Sequence, residues 1–290
     1  MDDPRPTSHR FVSQRLNLQY LDWGNAGAPL LLLVHGARDH AHNWDWVARR
    51  LSGNWHVICP DLRGHGDSDW SPDGNYSIPV YVADLCALID HVGDRPVSLV
   101  GHSLGGAIAL HYTGVFPGDV RRLAVIDGLG LSSTGRKSRK PMTTIWRDWI
   151  SARRSIDNRV PRRYAHLEQA FARMAEQNPH LSREQVEHLT IHGIRENDDG
   201  TLGWKFDNHT RSALPMEMTD GKLVDLLHGI DCPVWLVHGA DSWTSHPEDV
   251  GLAAHFKCAT ITSYEGAGHW VQHDRLEGFV TDLARFLSIR

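Results

Sequence analysis

A serine set among glycines, Gly101-His102-Ser103-Leu104-Gly105-Gly106, is the residue pattern in this chain best suited to covalent chemistry. The apolar run Val97–Val100 feeds straight into it, and an Ala/Leu-rich helical pattern follows at once. A serine on so sharp a strand-to-helix turn is held in a strained backbone, with Oγ exposed at the end of a sheet. Gly101 and Gly105 stand where side chains would collide as strand and helix close on each other. The bland alternative, an ordinary turn with an N-capping serine, does not account for the flanking pattern. A serine hydroxyl attacks only when a base takes its proton, a carboxylate orients that base, and N–H groups stabilise the oxyanion. The N–H after the serine, on Leu104, is one such donor. Among the 20 histidines, His269 alone has the strand–loop setting of a base, in the turn Gly266-Ala267-Gly268-His269.

The elements that must position these residues are legible as an alternation. Short aliphatic runs at Leu30–Val34, Trp55–Cys59, Val97–Val100, Leu123–Ile126, Pro233–Val237 and Ala259–Tyr264 read as strands buried on both faces, which implies a parallel sheet covered by helices. Segments at about 42–52, 78–92, 104–115, 247–256 and 274–287 have the spacing or length of crossover helices. Phe11–Trp23 alternates loosely, as an antiparallel opening hairpin does. Between Leu131 and Asp225 the alternation stops: helical patterns occupy 142–154, 160–177 and 182–195, and no strand-like run is visible. An excursion of that length is an inserted helical unit and not a loop. It leaves the sheet at a carboxyl strand end, where open α/β sheets bind ligands.

Composition narrows the function classes. A net charge of −5 and a pI near 6.5 give no global attraction for nucleic acid or an anionic membrane. The N-terminal MDDPRPTSHRF has no apolar core, and the longest aliphatic run is Leu30–Val34, so neither a secretory signal nor membrane insertion is expected. Cys59, Cys86, Cys232 and Cys258 are scattered and read as buried thiols in a reducing compartment, with the cytoplasm as the expected location.

Four signatures occur in order: His35-Gly36, Asp61-Leu62-Arg63-Gly64-His65-Gly66-Asp67-Ser68, the serine turn, and Gly268-His269. Together they resemble the α/β-hydrolase fold superfamily, in its lidded serine esterase-like branch. The resemblance implies a mostly parallel central sheet flanked by helices, with a core over 1–130 and 226–290 and a helical lid over 131–225 inserted after the sixth strand. It implies Ser103 as nucleophile, His269 as base, and Ala37 with Leu104 as the oxyanion donors. For the acid, Asp127 directly follows a strand at one position the family uses. Asp241 lies after the strand ending at His238, where most members carry the acid, but one residue early. Asp127 is preferred, with Asp241 the alternative. The implied activity is hydrolysis of a carboxylic ester or a related acyl bond, such as a lactone or thioester, of a hydrophobic small molecule, with no cofactor. The same constellation also serves C–C bond hydrolysis, perhydrolysis and acyl transfer, and the fold also serves ligand-binding receptors. Dehalogenase and epoxide-hydrolase chemistry is disfavoured, because those relatives carry an aspartate where this chain has Ser103.

His35, Trp44, Trp146, Trp149, Trp243 and Trp270 are expected to line the substrate pocket, tryptophan being a common wall for apolar substrates. Asp61 and Asp67 are expected to fix loop geometry. His40 and His42 lie near the oxyanion loop, but two histidines without carboxylate or cysteine partners make a poor metal site, and none is expected. Lysine and arginine crowd Arg136–Arg163 with only Asp148 and Asp157 against them, which reads as the solvated outer face of helices, with recruitment of an anionic substrate or a membrane surface as the alternative.

Overall fold

The structure, a computed structural model, describes residues 4–93, 95–129, 141–212, 220–249 and 251–288. The strands are β1 (Thr7–Ser13), β2 (Leu16–Asp22), β3 (Leu30–Val34), β4 (His56–Pro60), β5 (Val97–His102), β6 (Val120–Ile126), β7 (Ile194–Glu196), β8 (Leu202–Trp204), β9 (Val234–Gly239) and β10 (Ala259–Tyr264). The helices are α1 (Asp45–Leu51), α2 (Ile78–Val92), α3 (Leu104–Val115), α4 (Met142–Asp157), α5 (Leu167–Gln177), α6 (Arg183–Gly193), α7 (Asp220–His228), α8 (Val271–Asp274) and α9 (Leu276–Ser288).

Eight strands make one sheet in the order β1-β2-β4-β3-β5-β6-β9-β10, antiparallel at β1, β2 and β4 and parallel from there on. Every residue of β3, β4, β5 and β9 is buried, as the continuous apolar runs require. Successive side chains of β3 go to opposite faces. Leu30, Leu32 and Val34 pack with Leu85 and Leu88 of α2, Ile108 of α3 and Leu227 of α7, whereas Leu31 and Leu33 pack with Val47 of α1 and Phe279 and Leu283 of α9. Two cores therefore clamp the sheet, and the carboxyl ends of β5, β6, β9 and the loop after β10 meet at one edge.

Two expectations are corrected. The helix foreseen over 247–256 is only a 3-10 turn at Ala253–His255, because Pro247 and the left-handed Gly251 (φ +73°) interrupt it. The excursion after β6, foreseen as free of strands, holds the β7–β8 hairpin as well as α4, α5 and α6. Its signal is the Asp199-Gly200 turn, with Gly200 at φ +76°, between runs too short to show a period. The excursion is tied to the core at several points. Arg153 donates to the carbonyls of Asp73 and Gly74, Lys205 pairs with Asp67, and Asp207 N–H donates to Gly64 O. Part of the basic stretch thus anchors the excursion, while Arg136, Lys137, Arg139 and Lys140 lie outside the described residues. No described helix is long and apolar enough to cross a membrane.

Candidate active site

At the end of β5 the chain reverses through Ser103 at φ +52°, ψ −117° and enters α3 at Leu104. A non-glycine residue in that region is strained, and the surroundings over-determine it. A β-carbon on Gly101 would drive into the Gly105 carbonyl, and one on Gly105 into the carbonyl of Val34. The Ser103 N–H donates to Ile126 O at 2.8 Å and stitches the turn to β6. Leu104 opens α3, so its N–H has no partner within the helix. The neighbouring His35-Gly36-Ala37 loop is packed on the turn so closely that a β-carbon on Gly36 would lie 3.2 Å from Ser103 Cβ. Ala37, next to it, is exposed.

Asp127, one residue past β6, is also left-handed (φ +47°), and its side chain is fully buried. Its Oδ2 lies 3.1 Å from His269 Nδ1. Its Oδ1 lies 2.9 Å from His238 Nδ1 and accepts the Gly239 N–H at 3.3 Å. Burial pushes this carboxyl up, but hydrogen bonds from His269 and Ser242 and the fields of the His269 and His238 imidazoles outweigh it and hold the group below the usual carboxylate range. Asp241 is exposed; its backbone N–H donates to Ala267 O, and its carboxylate makes no bond to His269. His102 completes the frame, its Nε2–H donating to the His269 carbonyl at 2.8 Å. Among the described residues no hydrogen bond joins Ser103 to His269, a contact that in ligand-free sites often tightens only with substrate.

The Alpha/beta hydrolase family matches residues 31–282. The chain belongs to the alpha/beta hydrolase family. Esterase Rv0045c of Mycobacterium tuberculosis is 26% identical to it over 274 residues, which is 93% of this chain and 86% of the esterase. Lipase LipV of the same organism is 37% identical over 112 residues, spanning 39% of this chain and less than half (42%) of the lipase. Among solved structures, the thioesterase domain from the curacin biosynthetic pathway superposes with a TM-score of 0.84 at 22% identity, over 97% of this chain and 99% of that domain.

Two expected pocket residues of this alpha/beta hydrolase lie elsewhere. Trp44 is 0% exposed, packed among the α1 and α9 side chains, because the turn Ala41–Trp44 folds inward onto β3 and β4. His35 is also fully buried; its Nδ1–H donates to Gly36 O and its Nε2 accepts the Leu62 N–H, so it ties β3 to the glycine-rich turn. The other tryptophans differ among themselves. Trp243 is 71% exposed with its ring 4.8 Å from that of His269, and Trp146 is half exposed on α4. Trp149 carries the Arg153 guanidinium over its ring, and Trp270 stacks edge-on with His273. Asp61 sits inside its loop, accepting the N–H groups of Ala41 and Asp67.

Two features were missed in the sequence. In the sequence His238 marks only a strand end, whereas in the structure it is the second imidazole on Asp127. His42 was read as lacking a carboxylate, yet Asp45, three residues on, bonds its Nδ1 at 2.9 Å, and His188 and His192 of α6 close over the pair. The spacings His42-x-x-Asp45 and His188-x-x-x-His192 were the available signals.

The buried histidines set the acid stability of this hydrolase. Burial lowers His40 and His273 to about 3 and His65 to about 4, and it holds His35 and His102 well below the ordinary imidazole value. Unfolded histidine titrates near 6.5, so between pH 6.5 and about 4 the unfolded chain binds more protons and stability falls as pH falls. At pH 5.5 each such imidazole costs on the order of 1 kcal/mol, offset in part because burial raises Asp39 to about 8 and Asp61 to about 6, so that these carboxyls take up protons in the folded chain first. Urea titrations are expected to show the midpoint falling between pH 6.5 and 5; a midpoint unchanged over that range contradicts the prediction.

Proposed function

We propose that this alpha/beta hydrolase is a serine hydrolase that cleaves a carboxylic ester, or a related lactone or thioester, of a hydrophobic small molecule. The observation carrying this reading is the strained Ser103 turn at the same sheet edge as a His269 imidazole bonded to a buried, ionised Asp127. The names of the esterase and lipase relatives point the same way.

Ser103 Oγ attacks the carbonyl carbon while His269 Nε2 takes its proton, and the tetrahedral oxyanion is held by the N–H groups of Ala37 and Leu104. Asp127 keeps His269 in the tautomer with hydrogen on Nδ1 and stabilises the imidazolium. The imidazolium then protonates the departing alcohol or thiol, leaving Ser103 acylated. Water, deprotonated by His269, attacks the acyl carbon and releases the acid and free serine. Losing one oxyanion donor costs about 3 kcal/mol of barrier. Residues 131–225 act as a lid, with Trp243 beside His269 and the exposed Met142, Trp146 and Ile150 of α4 offering apolar surface to the acyl or alcohol group.

A p-nitrophenyl butyrate assay tests the reading. Rapid mixing is expected to release a burst of about one equivalent of nitrophenol before the steady state, and peptide mapping of the quenched enzyme is expected to find the butyryl group on Ser103. An acyl group on another residue, or no turnover of any p-nitrophenyl ester, overturns it.

A further inference from the structure

Away from Ser103, four donor side chains converge where the excursion meets the core. His42 comes from the 3-10 turn Ala41–Trp44 and Asp45 is the first residue of α1. His188 and His192 come from α6, one helical turn apart and hence on one face. One ligating atom from each of the four lies within 4.8 Å of all the others. Asp45 Oδ2 is 2.9 Å from His42 Nδ1 and 3.1 Å from His188 Nε2, and the His192 ring stacks on His42 with centroids 3.6 Å apart. Asp45 is buried and the three imidazoles are half-buried, so the cluster is built into the seam and still reachable from solvent.

As a hydrogen-bond network the cluster is incomplete. Asp45 Oδ2 serves two imidazoles, while Oδ1 is buried without a partner. His192 makes ring contacts but no hydrogen bond among the described residues. Three imidazoles around one buried carboxylate hold more lone pairs than there are protons to share, which is the condition a cation satisfies. We propose that His42, Asp45, His188 and His192 form a site for a divalent transition metal of the zinc class, which clamps α6 to the core. Three nitrogens and one oxygen match zinc, and four protein ligands close the shell, as structural sites do. Bond lengths near 2 Å put tetrahedral ligand atoms roughly 3.3 Å apart, so the side chains contract slightly on binding. Each imidazole binds as the neutral ring with its proton on the other nitrogen, so affinity rises with pH. The clamp reaches the loop beside Ser103, because His40 Nε2–H donates at 2.9 Å to the carbonyl of Leu189, the residue after His188.

Cobalt(II) titration of chelator-treated full-length protein tests the proposal. Wild type is expected to take up one equivalent with the visible absorption of tetrahedral cobalt, to lose it to zinc, and to gain several degrees in Tm with excess zinc. His188→Gln and His192→Gln, each checked for a metal-free fold by circular dichroism, are expected to weaken uptake at least tenfold. His269→Ala is expected to bind as wild type does. Either of two results overturns the site: wild type without stoichiometric uptake, or uptake that survives in both α6 variants. A signal lost in His269→Ala and kept in the α6 variants puts the ion beside Ser103 instead.

Discussion

Ser103→Ala is expected to lower kcat on a p-nitrophenyl ester by roughly 10⁴- to 10⁶-fold, with KM changed only a few-fold. The loss is confined to kcat because the variant removes only the attacking atom. Alanine retains the β-carbon, so the φ +52° turn and its hydrogen bond to Ile126 persist and the Tm stays near that of wild type. Whatever rate remains reports the oxyanion donors and binding alone. Ser103→Gly should be equally inactive yet more stable, because glycine relieves a left-handed conformation that costs about 1–3 kcal/mol. The pair separates the chemistry of the hydroxyl from the strain that presents it. A Ser103→Ala enzyme retaining more than about a tenth of wild-type kcat would mean that another residue attacks.

Asp127→Asn is expected to cost roughly 10⁴-fold in kcat, and Asp241→Asn no more than a few-fold. Asp127 accepts from two imidazoles at once, His269 at Oδ2 and His238 at Oδ1. An asparagine has one acceptor oxygen, so its NH₂ must face one of the two rings. If it faces His269, the ring takes the wrong tautomer and cannot receive the serine proton; if it faces His238, the charge that stabilises the imidazolium is still gone. Asp241, exposed and held only through its backbone N–H, has no such contact to lose. Measuring kcat for both variants over pH 6–9 decides the matter, and a larger fall for Asp241→Asn would reassign the orienting carboxylate.

Where local rules govern, the sequence was a reliable guide. The α2 and α3 helices sit at 78–92 and 104–115, where spacing put them, and the runs Leu30–Val34 and Ala259–Tyr264 are strands end to end. Both depend on short-range period and on apolar runs that cannot stay in water. The two failures also have local causes. Pro247 and Gly251 break a helix whose composition looked adequate, and the β7–β8 strands are three residues each, too short for alternation to register.

By itself the sequence determined the strand-to-helix turn at Ser103, the alternation that builds the sheet, and the two carboxylates, Asp127 and Asp241, able to meet His269. The turn is encoded partly in place, since Gly101 is required by the Gly105 carbonyl four residues on, whereas Gly105 is required by the Val34 carbonyl of the neighbouring strand β3. Only the tertiary structure decided which carboxylate meets His269. Asp127 and Asp241 both follow strands that end at the same edge, and one left-handed residue at 127 turns its carboxylate under the imidazole while the turn at 241 leaves the other in solvent. Tertiary packing likewise drew Trp44 into the core and brought His188 and His192 onto His42 and Asp45 across more than 140 residues of chain. The physical reason is the same in each case. A side chain's direction at a strand end or loop depends on one or two backbone dihedrals and on neighbours distant in sequence, and neither leaves a periodic mark on the chain.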